Sequence, residues 1–250
     1  MKSPIRESKR MSAILLSIIF LVCASATVDA QTRAVEGTIF QMGQQRITIP
    51  APDGFEEASS QFKSIKDRFT VTEATGNEVL AVHLPKSDCD KLRSGVAIDL
   101  NFYTKISVRE SVRASDLSPP QFARLISEFR GASSKIMDIN SPETKTNLAR
   151  MNRNLSELNQ QEVKIDLSQP VNLGEFDTRP NIYSVMLLVN LKSKTADGDV
   201  VKVIVGSLSY VRVKQRLIYV YTYREYKSTN DIEVLRDFTK QWIGQILAAN

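Results

Sequence analysis

Apolar and polar residues alternate most regularly over residues 97–108. Ile98, Leu100, Phe102, Ile106 and Val108 fall on one side with Thr104 among them, and Asp99, Asn101, Tyr103, Lys105 and Ser107 fall on the other. Strict period-two alternation predicts an antiparallel strand with one wet or partly wet face. The stretch 181–250 continues the pattern: NIYSVMLLVNLKSK, VVKVIVGSLSYVRV and KQRLIYVYTYREY read as three strands before a helix. Asp197-Gly198 between the first two is a hairpin signal, since these residues tolerate positive φ. A second tight connection falls at 214–216. Ser228 and Asp231 make a capping-box-like helix start, after which Leu235, Phe238, Trp242, Ile246 and Ala249 line one side.

Earlier in the chain, residues 35–50 read as a hairpin turning at Gly43, followed by a turn cluster at 51–55. Ser59 or Ser60 is the expected cap of a short helix in which Phe62, Ile65 and Phe69 recur at helical spacing. Residues 78–84 predict a strand with Leu80, Val82 and Leu84 on one face and Val79, Ala81 and His83 on the other; 85–95 reads as a polar loop. Ser118-Pro119-Pro120 opens a helix with the stripe Phe122, Leu125, Ile126 and Phe129, and Gly131 is its expected end. Ser141-Pro142-Glu143 opens another, running to about Gln161. Its narrow stripe of Leu148, Met151, Leu155 and Leu158 suits a helix on the surface or one that meets a partner.

Consecutive strands joined by tight turns must pair antiparallel. With helices before and after the strand runs, the fold class is α+β, an antiparallel β-sheet flanked by helices in an α/β/α sandwich. The order resembles that of the PsbP/DcrB-like family. The features that carry the resemblance are an opening hairpin ending in Pro50-Ala51-Pro52-Asp53-Gly54-Phe55, a hairpin tip at Asp197-Gly198, the strand pair VRVKQRLIYVYTY, and a closing helix with Phe238 and Ile246. The resemblance covers residues 35–250, with the helix at 141–161 as an insertion. It implies a non-catalytic accessory or binding protein and carries over no site residue.

Composition places this domain. Lys2, Arg6, Lys9 and Arg10 precede an apolar run from Met11 to Ala26, and Val28-Asp29-Ala30 supplies small residues for cleavage before Gln31. Residues 1–30 therefore read as a secretory signal peptide, cleaved after Ala30. The rival reading is a retained membrane anchor, for which about 16 apolar residues fall short of the roughly 20 that span a bilayer. Without 1–30, the 33 basic and 28 acidic residues become 29 and 26, a nearly balanced charge with no basic run. Nucleic acid is not an indicated partner. One cysteine, Cys89, remains, so residues 31–250 form a single domain held by its core rather than by disulfides. The expected address is periplasmic or secreted.

Catalytic chemistry finds few residues to use. His83 is the only histidine, which leaves no His pair for metal binding and no evident triad. The string HLPKSDCD gathers His83, Asp88, Cys89 and Asp90, but at no established metal spacing; no metal and no cofactor is expected. Ser60-x-x-Lys63 matches a hydrolase signature in form while its partner motifs are absent, and Gly206-Ser207-Leu208-Ser209 lies within a strand, marking close packing or a bulge. What remains is the terminal hairpin. Tyr219, Tyr221 and Tyr223 share one side of a strand, and Arg212, Lys214 and Arg216 cluster at its turn. Tyrosines with cations can stack sugars or meet an anionic surface, whereas the plainer reading is packing beneath a helix with a solubilising tip. The expectation is a non-enzymatic exported protein acting on an envelope or periplasmic protein partner through that hairpin or the helix at 142–161. The alternatives are a carboxylate-based periplasmic hydrolase and a small-ligand binding module.

Overall fold

The structure, a computed structural model, describes residues 37–250 except 137, 196 and 197, and no side chains at 133–136 or 195. The expected signal peptide at 1–30 lies outside the described residues, as does Asp197 of the hairpin tip. The elements in order are β1 (Gly37–Met42), β2 (Gln45–Pro50), β3 (Phe55–Glu57), α1 (Lys63–Thr72), β4 (Asn77–Pro85), α2 (Lys86–Arg93), β5 (Phe102–Arg109), α3 (Pro119–Ile136), α4 (Pro142–Asn159), β6 (Lys164–Leu167), β7 (Val171–Asp177), β8 (Ile182–Thr195), β9 (Gly198–Val213), β10 (Arg216–Glu225) and α5 (Asn230–Ala248). β1 and β2 form a separate ribbon; the other strands make an eight-stranded sheet ordered β3-β4-β5-β10-β9-β8-β6, with β7 also on β8. The strand pairings are antiparallel. The architecture is α+β, an antiparallel sheet with helices on both faces. No helix among the described residues is long and apolar enough to cross a membrane.

Two local devices set the central register. Lys214 and Gln215 take φ of 43° and 66°, so β9 and β10 join through a two-residue turn whose left-handed centre matches the twist of the strands. At the start of α5 the Asp231 carboxylate accepts from the backbone N–H of Lys227 and of Ser228, both at 2.9 Å, satisfying donors just ahead of the helix. Burial follows the pleat. Val211 and Val213 of β9, with Ile218 and Val220 of β10, pack against Trp242, Ile243 and Ile246 of α5. Met42, Ile47 and Ile49 bring the β1–β2 ribbon into the same cluster, and Trp242 donates Nε1–H to the Pro50 carbonyl at 2.9 Å. On the opposite face, Phe122, Ile126 and Phe129 of α3 cover Tyr183, Val185, Leu208, Tyr210 and Leu217. Ile65 and Phe69 of α1 cover Val82 and Leu84.

Several expectations change for local reasons. Residues 85–95 are not a loop: α2 forms because Asp88 pairs with Lys91 and Asp90 with Arg93, one turn apart, while Cys89 enters the core. Residues 97–101 are not strand. The chain turns at Asn101, whose N–H donates to the Asp99 carbonyl at 2.9 Å, so Ile98 and Leu100 pack with the α1 cluster while Ile106 and Val108 face α5. Gly131 lies within α3 rather than at its end. Ser59 and Ser60 do not cap α1, because both are committed to Glu57. A register shift between Val79 and Ala81 places Leu80 in the α5 cluster, apart from Val82 and Leu84. The capping of α4 is as expected, Ser141 Oγ accepting from Thr144 N–H at 3.1 Å.

Candidate functional site

Pleat parity separates the six hairpin residues singled out in the sequence. Tyr219, Tyr221 and Tyr223 share a side of β10, and Arg212, opposite Leu217, shares that side. Arg216 has the opposite parity and is only 3% exposed. Its Nε donates to the Met42 carbonyl at 2.8 Å and its Nη1 pairs with Asp116, tying β10 to the β1–β2 ribbon. Arg216 is therefore a buried clamp, and its place among partner-facing cations is corrected. Arg212 is also engaged: Nε donates to the Leu117 carbonyl at 2.5 Å and Nη1 to Asn181 Oδ1 at 3.1 Å. Lys214 is exposed and reaches the Arg46 carbonyl at 3.1 Å. The basic tip holds the hairpin to its neighbours more than it faces outward.

The tyrosines, by contrast, are brought together. Six of the seven tyrosines lie on the face away from α5, set in rows by the ladder: Tyr183, Tyr210, Tyr219 and Ser107 in one, Leu208, Tyr221 and Lys105 in the next, Gly206, Tyr223 and Tyr103 in the third. α3 covers Tyr183 and Tyr210, and Phe69 of α1 meets Tyr103 edge-on at 5.2 Å. Between those helices Tyr219, Tyr221 and Tyr223 stay half-buried and belong to none of the apolar clusters. Their rings pack on one another, Tyr103 stacking on Tyr223 at 4.9 Å and Tyr221 on Tyr223 at 6.1 Å. Gly206 makes this possible, since a Cβ there would sit 3.0 Å from the Tyr223 ring.

Burial sets the electrostatics of this face. It pushes the Tyr103 phenol up to about 12 and raises Tyr210, Tyr219, Tyr221 and Tyr223 as well, so all remain O–H donors at neutral pH. Lys105 Nζ sits 4.5 Å from the Tyr221 ring centroid and pairs with Glu73 at 2.5 Å. α4 closes one end of the strip, Arg150 donating to the Glu73 carbonyl and Asn154 to the Val71 carbonyl. Tyr103, Tyr210, Lys105 and Ser107 join the site only through the neighbour relations of β5, β9 and β10.

The remaining candidates are dispersed. His83 is fully buried: Nδ1 meets Thr104 Oγ1 at 3.2 Å, Trp242 packs edge-on at 5.2 Å, and Nε2 has no hydrogen-bond partner. Burial lowers its pKa to about 4, against a small opposing pull from Glu57. Cys89 packs with Val82 and Leu84 on the other side of β4, and burial pushes its thiol up to about 11. Among the described residues no group of His, Cys, Asp and Glu is placed to hold a metal ion. Lys63 pairs with Asp67, not Ser60. Burial would raise the Glu57 carboxyl, but hydrogen bonds from Ser59 and Ser60 outweigh it and leave the group lowered. Glu57, Ser59 and Ser60 line a hollow of about 270 Å³ with Phe40 and Lys66. Ser207 is part of a buried hydroxyl cluster, 2.6 Å from Thr222, with Thr239 of α5 at 2.7 Å from Thr222.

No family model matches the chain, and no curated protein matches it. Among solved structures it is similar to the Ran-binding protein Mog1p of Saccharomyces cerevisiae, with 9% identity, 86% of this chain and 95% of that chain covered, and a TM-score of 0.27.

Proposed function

We propose that this chain is a non-catalytic binding or accessory protein of the bacterial cell envelope, exported by its first thirty residues and related to the PsbP/DcrB-like family. It acts through protein–protein contacts at the tyrosine strip. The observation that carries this reading is the strip itself. Three tyrosines on the central strand of a covered sheet remain half-buried between α1 and α3, outside the packed clusters. Tyrosine is enriched at protein interfaces because it combines large apolar area with a polar handle and little rotamer entropy. The site accordingly shifts to Tyr219, Tyr221 and Tyr223 with Tyr103, Tyr210 and Lys105, and Arg212, Lys214 and Arg216 leave it.

Affinity capture with residues 31–250 from an envelope extract, followed by mass spectrometry, tests this. A Tyr219→Ala/Tyr221→Ala variant that retains its cooperative melt should lose the captured protein. Capture that is undiminished in that variant refutes the strip. An envelope fraction in which the protein begins at Gln31 supports the address; an N-terminus still carrying Met1 refutes cleavage.

A further inference from the structure

The strip is lined by hydroxyls, each able to donate, and by cations. The hydroxyls of Tyr103, Tyr210, Tyr219 and Tyr223 make no hydrogen bond among the described residues. Ser107, fully buried in the same floor, has an Oγ that lies close to Tyr221 without a hydrogen bond of ordinary geometry. The cations point the same way. Lys105 overlies Tyr221, while the charges of Arg109 and Arg68 act on Tyr219 and Tyr103. Arg68 and Arg109 are exposed, and neither makes an ion pair among the described residues. Glu73 is the carboxylate whose charge acts on Tyr221 and Tyr223, and it is already engaged by Lys105 at 2.5 Å and Asn77 at 3.1 Å.

The hydroxyls can donate or accept, so it is the cations, with Glu73 already engaged, that favour an occupant bringing acceptors and negative charge. Ring-face stacking of a sugar is disfavoured, because Tyr103, Tyr221 and Tyr223 spend their faces on one another and on Lys105. The hydroxyls of alternate residues on β10 repeat at roughly 7 Å, the spacing at which an extended peptide presents alternate side chains. We propose that the strip binds an extended acidic peptide segment of a protein partner, its carboxylates and carbonyls received by the phenols and by Arg68, Lys105 and Arg109. This rests on the reading of the strip as a protein-binding surface.

A fluorescein-labelled dodecapeptide of alternating Glu and Ser, titrated with residues 31–250 and followed by anisotropy, tests the proposal. Binding is expected to weaken as salt is raised and to be more than about tenfold weaker for the Gln/Ser peptide. Arg68→Glu/Arg109→Glu, which alters only exposed side chains, should abolish it. Tyr219→Phe and Tyr223→Phe, which keep the ring packing, should each weaken it about two- to tenfold, the worth of one hydrogen bond. Equal binding of the Gln/Ser peptide overturns the proposal, as does binding untouched by the double charge reversal. Displacement of the peptide by inorganic phosphate at matched charge also overturns it, since the site would then be a simple oxyanion site. Envelope capture separates the two readings. If Tyr219→Ala/Tyr221→Ala abolishes capture while the Glu/Ser peptide fails to bind, the acidic-peptide inference alone falls; if the variant leaves capture undiminished and the peptide also fails to bind, both fall.

Discussion

Acid should destabilise this chain through a single histidine. His83 is completely buried on β4, packed against Trp242, with one ring nitrogen on Thr104 and the other without a partner. Protonation would add a second N–H to a place with nothing to receive it, and its pKa is accordingly lowered from 6.5 to about 4. The folded chain binds this proton more weakly than the unfolded chain does. The stabilisation is whole above the unfolded value, is lost as pH falls through the window from 6.5 to about 4, and changes no further below it. At about 1.4 kcal/mol per pK unit the loss approaches roughly 3 kcal/mol, a large fraction of the 5–15 kcal/mol that ordinarily holds a domain together. Urea titrations followed by the fluorescence of Trp242, the chain's one tryptophan, read this directly. His83→Asn keeps a polar atom near Thr104 and cannot take up the proton. It should be less stable at neutral pH by about 1–2 kcal/mol because of the gap it leaves, yet lose little more down to about pH 4.5. The lowered carboxyls Asp231, Glu57 and Glu175 release their contribution only below their own unfolded values of 3.8, 4.5 and 4.5, so the difference between wild type and variant above that range belongs to His83. Parallel pH profiles for the two proteins would refute the reasoning, as would a His83 ring resonance titrating near its ordinary value in the folded chain.

Other perturbations follow from single contacts. Arg216→Met should cost roughly 1–3 kcal/mol in chemical denaturation, because the Met42 carbonyl loses its donor, whereas Lys214→Glu at the same hairpin should stay within about 0.5 kcal/mol. Equal effects would refute the assignment of Arg216 as a clamp. Gly206→Ala forces the Tyr223 ring away from a Cβ at 3.0 Å and should cost about 1–2 kcal/mol, with the tyrosine signal in near-ultraviolet circular dichroism altered. Gln215→Gly should raise the melting temperature, gaining about 1 kcal/mol, since a residue held at φ of 66° is relieved of left-handed strain; a lower melting temperature would count against that turn geometry.

Which segments are strand and which are helix is written into the chain wherever a hydrophobic period runs long enough to be unambiguous. The two-residue repeat of β8 to β10 and the closing stripe of α5 are intrinsic to the chain, because a pleat or a helical turn fixes which residues share a side. From turns alone it followed that those strands pair antiparallel. It also marked Tyr219, Tyr221 and Tyr223 as one set. Tertiary structure decided what each side met. Polar α2 escapes a periodicity reading because its stability comes from ion pairs one turn apart and the burial of Cys89. The register shift at Val79 and the turn at Asn101 move apolar residues across the sheet without altering the written pattern. His83 and Arg216 are polar residues set among apolar neighbours in an alternating string, and both are buried because α5 and the β1–β2 ribbon cover that face. The site shows the same division. Its tyrosines were legible on β10, but Tyr103, Lys105 and Ser107 enter it only because β5, more than a hundred residues earlier, lies beside β10. That adjacency is a property of strand order, which no local pattern encodes.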